Sequence, residues 1–123
     1  MILVDTSVWV DHLRRGCDPQ LVALLEGASV IVHPFILGEI ACGNLADRKM
    51  VLELLQDLPA ASVADADEVL AFIERHRLIG KGIGYVDVHL LAAVALTDGA
   101  SLWTRDKRLR AVADSLECSF KEP

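Results

Sequence analysis

Four carboxylates stand where ordinary capping or surface roles account for them only in part. Asp5 closes the apolar run Met1-Ile2-Leu3-Val4, and Asp106 follows Ala100-Ser101-Leu102-Trp103-Thr104 by one intervening arginine. Two acids at the ends of buried strands can share a crevice, because open α/β sheets bind ligands beyond the carboxyl ends of their strands. Either one alone reads equally well as a helix cap, Asp5 with Thr6 and Ser7 and Asp106 before Lys107. Glu39 and Asp87 fit a passive role less well. Glu39 lies three residues after Ile36 and one before Ile40, and Asp87 is followed at helical spacing by Leu90 and Leu91, so both fall on apolar helix faces. A buried carboxylate is costly unless it is paired or ligated. Asp87 also suits a first helical turn, where the helix dipole favours an acid. Clustered acids without a basic partner repel one another, and their hard oxygen donors suit Mg²⁺ or Mn²⁺. Such ions orient water and stabilise a leaving oxygen, the chemistry of phosphodiester hydrolysis.

The elements that must gather these acids alternate along the chain. Residues 1–4 read as a strand, followed by a helix that Gly16 stops; Pro19 to Glu26 forms a second helix closed by Gly27. Val30-Ile31-Val32 is a strand, and Pro34 opens a helix that runs to Gly43. An amphipathic helix over 47–58 ends at Pro59, residues 60–63 form a weak strand, and Asp65 starts another helix that leads to the Gly80-Lys81-Gly82-Ile83-Gly84 loop. Tyr85 to Leu96 is helical and Asp98-Gly99 turns into a strand over 100–104. A helix from Asp106 to Ala113 and a strand over 118–120 complete the expectation. Alternation of this kind predicts an α/β/α sandwich with a parallel sheet.

Composition bounds the possibilities. The 123 residues are 53% hydrophobic, with a mean hydropathy of +0.39, which excludes a disordered chain and predicts a single domain spanning residues 1–123. A chain of this length buries roughly two-thirds of its unfolded surface without staples. Cys17, Cys42 and Cys118 are odd in number and lack C-x-x-C spacing, which argues against a disulfide framework or a cysteine zinc site and for a reducing cytoplasm. No basic leader precedes Asp5, and Glu26, His33 and Pro34 interrupt the apolar stretch from Leu21 to Leu37, so neither a secretory signal nor a membrane span is expected. The net charge of −6 opposes nonspecific attraction to nucleic acid. Bound divalent ions would reverse that field locally.

Four segments, Leu3-Val4-Asp5-Thr6-Ser7-Val8-Trp9, Gly38-Glu39-Ile40, Gly84-Tyr85-Val86-Asp87-Val88-His89-Leu90-Leu91-Ala92-Ala93 and Leu102-Trp103-Thr104-Arg105-Asp106-Lys107-Arg108-Leu109, resemble the PIN-domain ribonucleases, specifically the VapC toxins of bacterial toxin–antitoxin pairs. The resemblance covers nearly the whole chain, in order; each motif alone is weak and the set is specific. It implies a PIN-like three-layer α/β/α sandwich with a mainly parallel sheet of four to five short strands. It also implies an acidic site of Asp5, Glu39, Asp87 and Asp106, with Asp5, Asp87 and Asp106 as Mg²⁺ or Mn²⁺ ligands and Glu39 completing the shell or positioning water. Thr6 and Thr104 would support the acids through their hydroxyls. Endonucleolytic cleavage of RNA, a VapB-type antitoxin that blocks the site, a homodimer, and contact with operator DNA only through the antitoxin follow from the same resemblance. His89 departs from the small or apolar residues common at its position.

Other readings compete with this one. Arg105, Lys107, Arg108 and Arg110 beside Asp106, with Lys81 before Asp87, form either a solvated charged face or phosphate contacts. His12, His33, His76 and His89 lack metal-ligand spacing, Ser7 lacks triad partners, and the glycine-rich loop lacks a nucleotide-binding context and is assigned to a flexible rim of the site. The apolar stripes Met50-Leu54-Leu55-Leu58 and Val69-Leu70-Ile73 read as core, or as partner surfaces where exposed. A receiver-like phospho-acceptor module and an inactive PIN-like interaction protein remain the alternatives to a nuclease. The first would need adjacent acids after the first strand, where this chain has Thr6 and Ser7.

Overall fold

Leu3 and Val4, wholly buried, form the middle of the molecule because strand β1 (Ile2–Val4) is flanked on both sides. The computed structural model describes residues 1–122. β1 pairs in parallel with β2 (Val30–Ile31) and with β3 (Ser101–Trp103), giving the order β2-β1-β3 with Leu3 opposite both Ile31 and Leu102. Parallel pairing aligns the carboxyl ends of all three strands. Asp5, His33 and Thr104 therefore emerge on one edge of the sheet.

Among the described residues, seven helices connect and cover the strands: α1 (Thr6–Arg15), α2 (Pro19–Glu26), α3 (Pro34–Cys42), α4 (Arg48–Gln56), α5 (Ala66–His76), α6 (Tyr85–Leu96) and α7 (Lys107–Ser115). Their starts follow local chemistry. Asp18 caps α2 through Gln20 and Leu21 N–H with Pro19 in the first turn, while Asp65 and Glu68 form a reciprocal capping box on α5. α3 opens at Pro34, capped by the His33 ring, whose Nδ1 accepts from Phe35 N–H at 3.0 Å. Since that nitrogen accepts, the neutral ring carries its proton on Nε2.

α6 is the central helix. Every residue from Val88 to Val94 is buried, including His89, so the helix shows no polar face and packs against both α5 and β3. Burial on all sides also fixes the direction of its amino end. The first turn, with Asp87, is held at the same edge of the sheet as Asp5.

The outer strands expected at 60–63 and 118–120 shrink to single parallel bridges, Val32 with Ala60 and Leu102 with Ser119. Each bridge has two backbone hydrogen bonds, Val32 N–H to Pro59 O and Ala61 N–H to Val32 O on one side, and Leu102 N–H to Cys118 O and Phe120 N–H to Leu102 O on the other. The sheet is thus three strands wide with a bridge beyond each edge. Pro59 offers no N–H, and the small residues Ala60, Ala61 and Ser62 have little tendency to extend a strand.

Among the described residues, no helix is long and apolar enough to cross a membrane. The three cysteines are free thiols.

Candidate acidic site

Asp5 sits at the cap position of α1, yet its side chain makes no capping bond. Its Oδ2 instead accepts two hydroxyl protons, from Ser7 at 2.8 Å and from Thr104 at 2.8 Å. Asp5 is 7% exposed, so these bonds replace water on a nearly buried carboxylate, while Oδ1 has no hydrogen-bond partner among the described residues. Thr104 reaches Asp5 only because β1 and β3 pair directly. The same hydroxyl accepts from Asp106 N–H at 3.1 Å, and Ser7 Oγ accepts from Arg105 N–H at 3.1 Å. Two hydroxyls thus join the ends of the two strands.

Asp106 performs the capping that Asp5 leaves undone: its Oδ1 accepts from Leu109 N–H at 2.9 Å. The residue is exposed and its second oxygen has no partner among the described residues. Asp87 lies in the first turn of α6, where Oδ2 accepts a long hydrogen bond from Gly84 N–H at 3.3 Å. Burial raises its pKa above the ordinary carboxylate value, and the negative fields of Asp5, Asp106 and Glu39 push in the same direction. The structure therefore brings Asp5, Glu39 and Asp106 within electrostatic reach of Asp87.

Glu39 corrects the sequence expectation of a carboxylate buried on an apolar face. It is exposed, and its Oε1 accepts from Thr6 Oγ1 at 2.7 Å. Ile36 and Ile40 are the buried pair of this helix, and three residues of helical rotation leave Glu39 about 60° away from Ile36, at the margin of the core. Thr6 and Thr104 occupy the supporting positions expected of them. Ser7, expected neither to complete a triad nor to do more than share in a helix cap, is a supporting hydroxyl as well, and its position two residues after an acid is the signal for that role.

Arg105 also departs from one of its expected roles. Its guanidinium binds Asp11 at 2.9 Å, Asp18 at 2.5 Å and Glu122 at 2.9 Å, and lies 5.5 Å from the centre of the Trp103 ring. Those contacts hold the Asp18 carboxyl below its ordinary pKa, chiefly through the hydrogen bond from Arg105. An arginine so engaged is a structural tie and has no free face for a phosphate.

His89 is 5% exposed and packs edge-on against Phe35 and Tyr85, each with its ring centre 4.6 Å away. Burial holds its pKa below the usual value. The aromatic contacts account for its packing, while its buried Nδ1 has no hydrogen-bond partner among the described residues.

None of the four acids is paired with a lysine or arginine among the described residues. Their oxygens are hard donors, and their mutual repulsion is what a divalent cation relieves, so the residue set fits Mg²⁺ or Mn²⁺. Among the described residues, no three His, Cys, Asp or Glu side chains are gathered tightly enough to enclose an ion. The arrangement is an open carboxylate-lined edge.

A parallel sheet that delivers acids from two strand ends, faced by an acid in the first turn of a buried helix, defines a class of α/β/α sandwich with an anionic crevice. The chain belongs to the PIN domain family, whose model matches residues 2–115. It is 51% identical over 111 residues to Ribonuclease VapC32 of Mycobacterium tuberculosis, covering 90% of this chain and 89% of that protein. It is 30% identical over 123 residues to VapC ribonuclease Mb1587 of Mycobacterium bovis, with 92% of each covered. A crystal structure of FitAcB from Neisseria gonorrhoeae has the same fold, with a TM-score of 0.61 over 93% of this chain and 94% of that one at 24% identity. The protein is thus a PIN-domain homologue of VapC ribonucleases, and the receiver-like reading is set aside.

Proposed function

We propose that this protein is a Mg²⁺- or Mn²⁺-dependent endoribonuclease and the toxin of a type II toxin–antitoxin pair, acting in the cytoplasm. The observation that supports this most directly is Asp87, a half-buried acid whose proton affinity is raised by burial and by three other carboxylates. Asp5, Asp87 and Asp106 would hold the cation, and Glu39 completes the acidic edge. When bound, the ion supplies Lewis-acid stabilisation of the phosphodiester and of the leaving oxygen. Ser7 and Thr104 fix the rotamer of Asp5 by occupying Oδ2, which leaves Oδ1 for ligation. Thr6 fixes Glu39, which accepts a proton from water as the water oxygen bonds to phosphorus and the bond to the ribose oxygen breaks.

An antitoxin site is part of the same reading. Leu54 is 60% and Met50 54% exposed, contrary to the core assignment of their stripe, while Leu55 is buried. Leu54, Leu55, Val51 and Leu58 face Trp9 and Leu13 across an apolar groove of about 370 Å³. This groove follows α1, the helix that starts at Asp5, so an amphipathic antitoxin segment lying in it would approach the acids from one side. The second stripe also splits, with Val69 buried and Leu70 57% exposed, and α5 offers that face to a second copy of the chain. Operator DNA would be reached only through the antitoxin.

The experiment is RNA cleavage by the purified protein. Cleavage requires Mg²⁺ or Mn²⁺, stops in EDTA and is lost in Asp87→Asn with the circular dichroism spectrum unchanged. Full activity in that variant, or in EDTA, refutes the proposal.

A further inference from the structure

A chain of net charge −6 with an uncompensated acidic edge nonetheless brings three cations to one groove. Arg77, at the end of α5, Lys81, in the glycine-rich loop, and Arg108, on the first turn of α7, line a groove of about 480 Å³ together with His76 and Leu78. All three cations are exposed, none is ion-paired among the described residues, and no carboxylate lines the groove. Arg105, three residues before Arg108, shows the contrast: its charge is spent on three acids.

The placement of Arg108 depends on a missing side chain. A Cβ at Gly82 would stand 3.0 Å from Arg108 Cδ and 3.3 Å from Nη1, so the arginine lies across the bare backbone of the loop. Gly82 also has φ of +79°, a conformation that favours glycine. The loop turns here and presents Lys81 beside Arg108. Both cations are tied by short stretches of chain to site acids, Arg108 on the helix that Asp106 caps and Lys81 in the loop that leads to Asp87. The groove runs from these cations along α7 past Ala111 and Ser115, so a strand held in it would lie beside the helix that Asp106 caps.

We propose that Arg77, Lys81 and Arg108 form a cradle for the phosphate backbone of the RNA flanking the cleavage point; this rests on the ribonuclease reading and identifies the surface that lets an acidic protein hold a polyanion. Unpaired cations converging from three elements supply sequence-independent contacts, and the acids then meet the strand at a fixed place. Gly82 keeps the base of the cradle open.

The test is fluorescence anisotropy with a fluorescein-labelled single-stranded RNA oligonucleotide across a KCl series in EDTA. Arg77→Ala, Lys81→Ala and Arg108→Ala each weaken binding roughly two- to fivefold and reduce the salt slope by about 0.7. Lys107→Ala and Arg110→Ala, which remove the same charge from α7 outside the groove, leave both values near those of the unaltered protein. Unchanged binding in the groove variants, or equal losses in all five, overturns the cradle, as does absence of RNA binding by the unaltered protein. Asp87→Asn separates the two readings. If it retains binding but loses cleavage in Mg²⁺, both stand; if it cleaves normally while the groove variants lose binding, the acidic-site assignment fails and the cradle survives.

Discussion

The junctions β1–Asp5–α1 and β3–Thr104-Arg105-Asp106–α7 share one plan, a buried strand that ends in an acid at a helix cap, yet they use the acid oppositely. Asp106 commits Oδ1 to Leu109 N–H and remains exposed. Asp5 is nearly buried, caps nothing and gives Oδ2 to two hydroxyls. The two extra residues in the second junction make the difference. Thr104 points back at Asp5 and Arg105 turns outward to Asp11, Asp18 and Glu122, which carries Asp106 two positions farther from the sheet than Asp5. Distance from the sheet edge separates an acid prepared for ligation from one that also maintains a helix.

Asp5→Asn offers the largest test of that contrast. Its cleavage rate should fall by more than the ~10–100-fold typical of losing an outer partner of a metal ligand, with a nearly unchanged melting temperature because no cap is lost. Near-normal cleavage would equate the two junctions. Thr104→Val comes next, since it removes both the donor to Asp5 and the acceptor for Asp106 N–H while keeping the shape; we expect a loss of about 10–100-fold, partly recovered at high Mn²⁺. Asp106→Asn should reduce cleavage without loss of stability, because asparagine caps as well as aspartate. Asp106→Ala should additionally lose about 1 kcal/mol in denaturant unfolding. Equal stability of the two variants would show that the cap is idle.

Arg105→Met sharpens the comparison from the structural side. The tie is partly exposed, so its loss should cost roughly 1–2 kcal/mol, between surface and fully buried pairs. Asp18 adds a pH signature. Its folded pKa is lowered, so its contribution is present above the ordinary value of 3.8 and disappears as pH falls through the lowered one. The unaltered protein should therefore lose stability over that acidic window, and the Arg105→Met variant should lose less of it there. Identical pH profiles would place the stabilisation elsewhere.

Local chemistry made much of this visible in the sequence. Gly84 and the Asp98-Gly99 turn bracket α6 at Tyr85–Leu96, as expected, and Pro34 opens α3 where expected. Of the four acids selected from the chain, Asp87 feels the charge of the other three. The sheet edges were less legible because single bridges need no pattern of alternation. Glu39 was misplaced because helical spacing identifies a face but not how far a neighbouring helix covers it. Arg105 was ambiguous for a related reason: Asp11, Asp18 and Glu122 come from three separate regions, and sequence proximity to Asp106 says nothing of them.

The bond from Thr104 to Asp5 joins residues near opposite ends of the chain. During synthesis, a ribosome that has not released residues 101–106 holds a polypeptide with neither β3 nor the hydroxyl that sets the first acid. A copy made only that far lacks a finished crevice, so the acidic edge takes shape only after β3 has paired with β1.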